Sequence, residues 1–207
     1  HFATSTNRAP RKAQPGLPGL EKRLRLSLKY LADIGLAGLP NAGKSTLLSR
    51  LTMARPRIDS YPFTTLIPNL GVLAFDEENT LTVADIPGLI EGAGDGRGLG
   101  HQFLKHIERT RLLLHVLDVT YDPHHDLLED FHILRRELEG YAPSLLEKEQ
   151  VIAINKIDLC VEDGRRAENM VAVFGGMGLE AIPISALTGE GLDRLKEALF
   201  NRFFHHG

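Results

Sequence analysis

The eight residues Gly38-Leu39-Pro40-Asn41-Ala42-Gly43-Lys44-Ser45 fit the pattern G-x-x-x-x-G-K-[ST] of a phosphate-binding loop, the P-loop. An apolar run over 31–37 precedes them, and a helical pattern over 44–51 follows. In that order the backbone N–H groups of the loop form an anion nest at a helix N-terminus. We expect Lys44 to pair with the β- and γ-phosphates and Ser45 to hold Mg²⁺ through its hydroxyl. The alternative is a plain glycine turn before an ordinary helix.

Length and composition favour one α/β domain. The chain has 207 residues, of which 43% are hydrophobic and 25% charged, an ordinary balance for a globular protein. No apolar run approaches the ~18 residues of a membrane span. The chain has a single cysteine, Cys160, which fits a reducing compartment, so we expect a cytoplasmic protein. The first residue is His1, and we expect the chain to be part of a longer one.

The charge is unevenly distributed along the chain. Residues 1–29 carry seven basic side chains against one acid, Glu21, so this segment is at +6 and the remainder of the chain at −9. A basic end can meet RNA phosphates, and it can equally be a solvated linker. Residues 1–20 are rich in Pro and Gly, which is typical of a linker. We therefore divide the chain into a linker or domain tail, 1–29, and a nucleotide-binding domain, 30–207.

Strand and helix patterns alternate beyond the P-loop, which predicts a P-loop NTPase fold: a three-layer α/β/α domain with a mostly parallel central sheet. Ligands of such sheets bind at the carboxyl ends of the strands. Period-two alternation predicts a strand over 23–29, or the lead-in to the first one. The other predicted strands cover 31–37, 70–75, 80–84, 112–117, 151–154 and 181–184, and the predicted helices cover 44–51, 101–109, 126–138, 165–174 and 192–204.

The second motif is Asp85-Ile86-Pro87-Gly88, directly after the predicted strand 80–84. An Asp at this strand end is positioned to hold Mg²⁺ through water, and Gly88 can offer its N–H to the γ-phosphate. A D-x-x-G sequence alone is weak evidence because it occurs by chance. About forty residues after a P-loop and at a strand end, it becomes a strong signal.

The third motif, Asn155-Lys156-Ile157-Asp158, closes the strand 151–154 and fits N-K-x-D. The Asp158 carboxylate can accept hydrogen bonds from guanine N1–H and from the exocyclic amine. Adenine offers no such pair and would leave the carboxylate unmatched, so the site discriminates strongly. We expect Asn155 and the Lys156 stem to hold the loop and the base plane; the alternative is a helix-capping Asn and Asp. In Ser185-Ala186-Leu187, the Ala186 N–H could meet guanine O6.

The stretch 61–65, Tyr61-Pro62-Phe63-Thr64-Thr65, lies in a proline-rich loop. A Thr in this loop can supply the second protein hydroxyl to Mg²⁺ when a γ-phosphate is present. The residues themselves leave Thr64 and Thr65 as equal candidates.

With these motifs in place the chain resembles the GTPase domain of Obg, a bacterial P-loop GTPase family. The resemblance rests on the P-loop, 61–65, Pro68-Asn69-Leu70-Gly71, 85–93, Gly98-Leu99-Gly100, His106-Ile107-Glu108-Arg109, N-K-x-D and Ser185-Ala186. Residues 5–10 resemble the end of the glycine-rich domain that precedes the GTPase domain in Obg proteins. The resemblance implies a slow GTPase that acts in large ribosomal subunit assembly and in growth or stress control.

The resemblance also implies roles for single residues. Mg²⁺ would be held by Ser45, Thr65 and Asp85; catalysis would involve Lys44, Thr65 and Gly88; residues 63–67 would form switch I, and 85 to about 100 switch II. The full set expected to contact GTP or GDP is Gly38, Leu39, Pro40, Asn41, Ala42, Gly43, Lys44, Ser45, Thr46, Phe63, Thr64, Thr65, Leu66, Ile67, Asp85, Ile86, Pro87, Gly88, Asn155, Lys156, Ile157, Asp158, Ser185, Ala186 and Leu187.

Two features bear on catalysis and partners. Asn41 stands in the P-loop as it does in several potassium-activated GTPases, so its amide oxygen could help to hold K⁺ beside the phosphates; the alternative is that it braces the loop. We expect a monomer whose partner is the large ribosomal subunit, through RNA or protein. The alternative is a nucleotide-gated module that docks on the ribosome or RNA, with hydrolysis nearly dispensable.

The sequence predicts slow intrinsic hydrolysis. Many small GTPases place a Gln directly after D-x-x-G to orient the attacking water, and this chain has Leu89 there. An aliphatic side chain cannot orient water, so we expect single-turnover rates of ~10⁻⁴ to 10⁻² s⁻¹ for the isolated domain. A measured turnover above about 1 s⁻¹ would contradict this prediction.

Overall fold

The computed structural model describes residues 32–52, 69–85, 110–120, 126–160 and 165–205, with Gly16, Leu17, Gly19 and Glu21. These residues form six strands, four helices of eight or more residues and two one-turn 3₁₀ helices, Pro143–Leu145 and Ile157–Leu159. The strands and longer helices are, in chain order, β1 (Ile34–Ala37), α1 (Lys44–Leu51), β2 (Asn69–Ala74), β3 (Thr80–Asp85), β4 (Leu112–Asp118), α2 (Leu127–Tyr141), β5 (Glu149–Asn155), α3 (Arg165–Gly176), β6 (Glu180–Pro183) and α4 (Leu192–Phe204).

The six strands form one sheet in the order β2-β3-β1-β4-β5-β6. Only β2 runs antiparallel to its neighbour, β3, and the other four pairs are parallel. The carboxyl ends of β1, β3, β4 and β5 therefore lie along one edge. The predicted fold class is confirmed; the predicted strand 23–29 and helix 101–109 lie outside the described residues.

The central strands are apolar on both faces because helices cover both faces. In β4, Leu112, Leu114 and Val116 pack into the core that α1 and α4 share. The alternate residues Leu113 and Leu117 pack on the opposite face, against the core that includes α2 and α3. This two-sided burial explains why β4 reads as a continuous apolar run instead of an alternating one.

Most predicted boundaries agree with the structure to within three residues, and the differences have local causes. Asp126 lies outside α2 as its N-cap, and its side chain accepts a 2.9 Å hydrogen bond from the Leu128 N–H. Within the apolar run 31–37, β1 covers Ile34–Ala37, and just before it the Asp33 carboxylate accepts a hydrogen bond from the Thr82 N–H. Within the described segments, no helix is long and apolar enough to cross a membrane.

A histidine is buried in the middle of the sheet, at His115 on β4. Its Nε2 lies 3.1 Å from Gln150 Oε1, and Gln150 in turn donates its amide N–H to the Leu146 carbonyl. The ring stands edge-on to Phe131, and Nδ1 has no hydrogen-bond partner among the described residues. A second proton on this ring would have no acceptor, and burial lowers the pKa of His115 to about 4.

The lowered pKa of His115 leads us to expect that the fold is less stable in acid. Because its folded pKa of about 4 lies below the unfolded value near 6.5, the unfolded chain binds the extra proton between these values. The contribution of His115 to the free energy of unfolding is then fully present above pH 6.5 and is lost as the pH drops toward 4. We expect a loss of roughly 2 kcal/mol between pH 7.5 and pH 5 from this group. Urea unfolding of wild type and His115→Leu at both pH values measures it; an equal pH dependence in the two proteins would contradict the assignment.

Candidate nucleotide-binding site

The P-loop leaves the end of β1 and turns into α1, and its shape depends on two glycines. Gly43 is the N-cap of α1 with φ +96°, a left-handed conformation that favours glycine. A Cβ on Gly43 would lie 2.3 Å from Asn155 Nδ2, and a Cβ on Gly38 would lie 2.5 Å from the Val116 carbonyl oxygen. Both glycines are therefore required by close approach to the neighbouring strands β4 and β5.

The Lys44 side chain folds back over the loop that precedes it. Its Nζ donates hydrogen bonds to the carbonyls of Gly38, at 2.8 Å, and Leu39, at 3.0 Å. Burial lowers the pKa of Lys44, and the nearby Asp85 carboxylate offsets part of that effect. An ammonium has three N–H donors, so one remains for a phosphate oxygen. The loop thus holds its positive charge in place before any ligand is bound.

Ser45 and Asp85 meet at the amino end of α1. The Ser45 hydroxyl donates to Asp85 Oδ2 over 2.5 Å, although the two residues are 40 positions apart in the chain. Asp85 is buried, and its Oδ1 has no hydrogen-bond partner among the described residues. A buried carboxylate oxygen without a partner is costly unless a cation or donor meets it. Hydroxyl and carboxylate oxygens are the ligands that Mg²⁺ prefers, so this pair fits the predicted magnesium site.

The Asn155 side chain joins the P-loop to the loop after β6. Its Nδ2 donates to the Ala42 carbonyl at 2.7 Å, and its Oδ1 accepts from the Ala186 N–H at 2.9 Å. Its backbone carbonyl also accepts from the Val119 N–H. Asn155 is buried, so each of these bonds is protected from water. One amide therefore sets the distance between the P-loop and the loop after β6.

The N-K-x-D segment 155–158, called the base loop because it is predicted to meet the guanine, runs from Asn155 into a 3₁₀ turn, Ile157–Leu159. Lys156 has φ +68°, and its Nζ forms an ion pair with Asp118 Oδ2 at 2.5 Å. Asp158 Oδ1 is buried without a hydrogen-bond partner among the described residues. A donor that reached this oxygen, such as the guanine N1–H predicted from the sequence, would satisfy it. The sequence analysis did not include Asp118, although its place at the end of the apolar run 112–117 was a signal for it; the structure places it level with Asn155.

The loop after β6 is braced internally. Ser185 is buried and accepts a hydrogen bond from the Thr188 N–H through its hydroxyl, while its own N–H donates to the Glu190 carbonyl. The Ala186 N–H donates to Asn155 Oδ1. A contact with guanine O6 would require this N–H to be shared between two acceptors, and that contact stays a prediction. Leu187 is 63% exposed, and Arg50 of α1 donates to its carbonyl at 2.5 Å.

The predicted site extends beyond the described residues. Asn41 and Thr46 are exposed on either side of the α1 N-terminus, and the Asn41 side chain, with φ +61° at its backbone, has no hydrogen bond to another described residue. The predicted contacts that lie outside the described residues are Phe63, Thr64, Thr65, Leu66, Ile67, Ile86, Pro87 and Gly88. The described part therefore unites the P-loop, Asp85, N-K-x-D and 185–187 on one edge of the sheet.

Comparison with known proteins shows that the chain is similar to GTPases. A family model described as "50S ribosome-binding GTPase" matches residues 33–156. GTPase Obg of Aquifex aeolicus is 52% identical over 98% of this chain and 59% of its own length. GTPase Obg of Syntrophotalea carbinolica is 53% identical over 94% of this chain and 54% of its own length. The chain thus spans little more than half of these curated relatives.

Solved structures show the same fold. Era of Aquifex aeolicus, bound to GDP and AlF4⁻, superposes with a TM-score of 0.61 at 27% identity, covering 82% of this chain and 56% of that one. The G domain of the T. maritima FeoB iron transporter gives a TM-score of 0.58 at 23% identity, over 81% of this chain and 96% of that one. The second likeness concerns the fold alone.

The junction at Asn155 predicts that Gly43→Ala is severely disruptive. The new methyl group meets the Asn155 amide and forces an alanine into a left-handed conformation. We expect a loss of roughly 2–4 kcal/mol in unfolding free energy, because both buried Asn155 bonds are disturbed. Denaturant unfolding and binding of fluorescent GDP measure the two effects.

Gly175→Ala is the matched control, because Gly175 lies in α3 with nothing within 4 Å of its added Cβ. There the substitution should be neutral or stabilising. Equal stability and GDP binding for Gly43→Ala and Gly175→Ala would show that the Asn155 junction does not constrain the loop.

Proposed function

Because the chain belongs to the GTPase family whose model is described as "50S ribosome-binding GTPase", we propose that residues 30–207 bind GTP with Mg²⁺ and hydrolyse it slowly to GDP and phosphate. The relatives at about half identity are Obg GTPases, and the proposal extends their named activity to this chain. Residues 1–29 are then the tail of a preceding domain or a linker.

The observation that carries the proposal is the double hydrogen bond of Asn155. It ties the P-loop, at Ala42, to the loop after β6, at Ala186, through one buried side chain. Asp158, three residues further on, has a buried carboxylate oxygen with no partner among the described residues. A ligand with phosphates at one end and a guanine at the other fits this arrangement of N–H groups and carboxylate. An adenine would leave the Asp158 oxygen unpaired.

In this proposal, the P-loop N–H groups and Lys44 hold the β- and γ-phosphates in position. Ser45, Asp85 and Thr65 are the residues that would hold Mg²⁺, and the bound ion would neutralise charge on the phosphates. Lys44 is held by the Gly38 and Leu39 carbonyls, so little reorganisation is needed when phosphate arrives. Catalysis then consists mainly of positioning and charge stabilisation.

The chain lacks a residue that orients water at the usual place, since Leu89 follows the D-x-x-G motif. We propose that the catalytic contribution of such a residue is replaced either by K⁺ held at Asn41 or by a group of a partner. Asn41 supports the first source, because its side chain is exposed and makes no hydrogen bond to another described residue. Equal rates in KCl and NaCl would remove K⁺ from the proposal.

The proposed partner is the large ribosomal subunit, and the proposed role is a timed switch in its assembly and in growth or stress control. The family description supports this partner. The solved complex of Era with MgGDPNP and a segment of 16S ribosomal RNA, which aligns with 81% of this chain, supports contact with ribosomal RNA but not the choice of subunit. The +6 charge of residues 1–29 would suit RNA phosphates. A ribosomal partner would place the protein in the cytoplasm, working as a monomer on the subunit.

The experiment is single-turnover GTP hydrolysis in KCl and in NaCl, with and without large ribosomal subunits. We compare wild type, Ser45→Ala and Ser49→Ala, because both serines lie on α1 and only Ser45 contacts Asp85. Wild type should be slow alone and faster with subunits, and it should lose activity when EDTA removes Mg²⁺. Ser45→Ala should be slower than wild type by more than about tenfold.

Ser49→Ala is the control, because the exposed Ser49 hydroxyl donates only to the Ser45 carbonyl; its rate should match wild type. A hydrolysis rate that does not change when EDTA is added, or equal rates for Ser45→Ala and Ser49→Ala, would overturn the assignment of the Mg²⁺ site. Subunits that bind without changing the rate would favour the docking module, in which nucleotide gates binding and hydrolysis is nearly dispensable.

A further inference from the structure

An ion pair joins the base loop, at Lys156, to Asp118, a residue outside the predicted site. Lys156 Nζ and Asp118 Oδ2 are 2.5 Å apart, and their side chains are only 29% and 20% exposed. The two residues come from neighbouring strand ends, since Asp118 is level with Asn155 in the register of β4 and β5. This contact fixes where the charge of Lys156 lies when no nucleotide is bound.

Asp118 is held firmly enough to act as an anchor. Its Oδ1 accepts hydrogen bonds from the Thr120 N–H, at 2.9 Å, and from the Thr120 hydroxyl, at 2.7 Å. Burial would raise the pKa of Asp118, but the hydrogen bonds from Lys156 and Thr120 outweigh it and hold the pKa below its usual value. The carboxylate therefore stays charged near neutral pH and has both oxygens engaged.

Lys156 is held by its backbone as well as by its side chain. Its φ of +68° is unusual for a residue with a Cβ, and among the described residues only Asn41 shares a positive φ without being glycine. The chain around it is tied down, because Asn155 bonds to Ala42 and Ala186 and the Ile157 N–H donates to the Ile184 carbonyl. The Lys156 ammonium is thus directed to one partner.

Lys156 pairs with Asp118, and a second carboxylate, Asp158, follows it two positions later in the chain. The Lys156 ammonium donates to Asp118 Oδ2, and Asp158 Oδ1 is buried without a hydrogen-bond partner among the described residues. If Lys156 paired with Asp158, that carboxylate would lose acceptor capacity to the ammonium. The ion pair with Asp118 prevents this competition.

We propose that Asp118 is a positioning residue for guanine specificity: it holds the Lys156 ammonium away from Asp158 and so keeps the Asp158 carboxylate free for guanine N1–H and the exocyclic amine. This inference rests on the proposed function, in which Asp158 receives the guanine. It assigns to a β4 residue a role that acts entirely through Lys156. Thr120 supports that role by holding Asp118 in place.

The test uses Asp118→Asn and two nucleotides, GDP and IDP, which differ only in the exocyclic amine. The neutral amide does not retain the ammonium, so Lys156 becomes free to pair with Asp158. We expect GDP affinity to fall on the order of tenfold and IDP affinity to fall less, so that the preference for GDP over IDP shrinks. Calorimetric titration measures both affinities, and thermal unfolding without nucleotide reports the fold.

A second variant separates positioning from structural support. Lys156→Met keeps an unbranched stem and removes the charge, so Asp158 has no competitor. In that background Asp118→Asn should leave the preference for GDP over IDP unchanged, whereas a merely structural role would lower affinity for both nucleotides again. Asp33→Asn is the matched control: Asp33 is a partly buried carboxylate at the other end of the sheet, paired with Arg111 and the Thr82 N–H.

The inference is overturned if Asp118→Asn weakens the binding of GDP and IDP equally, or if its affinities match those of Asp33→Asn. It is also overturned if Asp118→Asn still lowers the preference for GDP over IDP in the Lys156→Met background. A wild type that binds neither GDP nor IDP would overturn the proposed function instead. Wild type that prefers GDP over IDP, with the preference reduced in Asp118→Asn and restored in the double variant, supports both.

Discussion

The described site depends on one buried amide, the side chain of Asn155. It donates to the P-loop carbonyl of Ala42 and accepts from the Ala186 N–H. Because the side chain is buried, loss of either partner leaves a polar group unsatisfied at a cost of about 1–3 kcal/mol. Gly43 must lack a Cβ for the amide to fit. The P-loop and the loop after β6, the predicted phosphate and base ends of the site, are therefore set by the same contact and cannot be positioned independently.

The charges around that amide follow a common arrangement. Two acidic residues, Asp85 and Asp158, each have a buried carboxylate oxygen without a partner among the described residues. The two lysines nearby are engaged elsewhere, Lys44 with loop carbonyls and Lys156 with Asp118. The positive side chains are thus positioned without neutralising these acceptors. A cation at one carboxylate and a base edge at the other would satisfy both.

The sheet makes this arrangement possible because its central strands are covered on both faces. Parallel strands β1, β4 and β5 deliver Gly38, Asp118 and Asn155 to one edge, and β3 delivers Asp85 to the same edge. His115, in the interior of β4, is held neutral by the same burial that stabilises the sheet. The strand that carries Asp118 therefore also carries the group that we expect to make the fold sensitive to acid.

The sequence by itself determined the P-loop, the D-x-x-G and N-K-x-D motifs, the order of strands and helices, and even the bounds of α1 and α4. These depend on residues close together in the chain, where motif spacing and apolar periodicity carry the information. Only the tertiary structure decided that Ser45 bonds Asp85, that Asn155 holds Ala42 and Ala186, and that Lys156 pairs with Asp118. Those contacts join residues 31 to 113 positions apart, and they depend on the register of neighbouring strands, which no local pattern encodes.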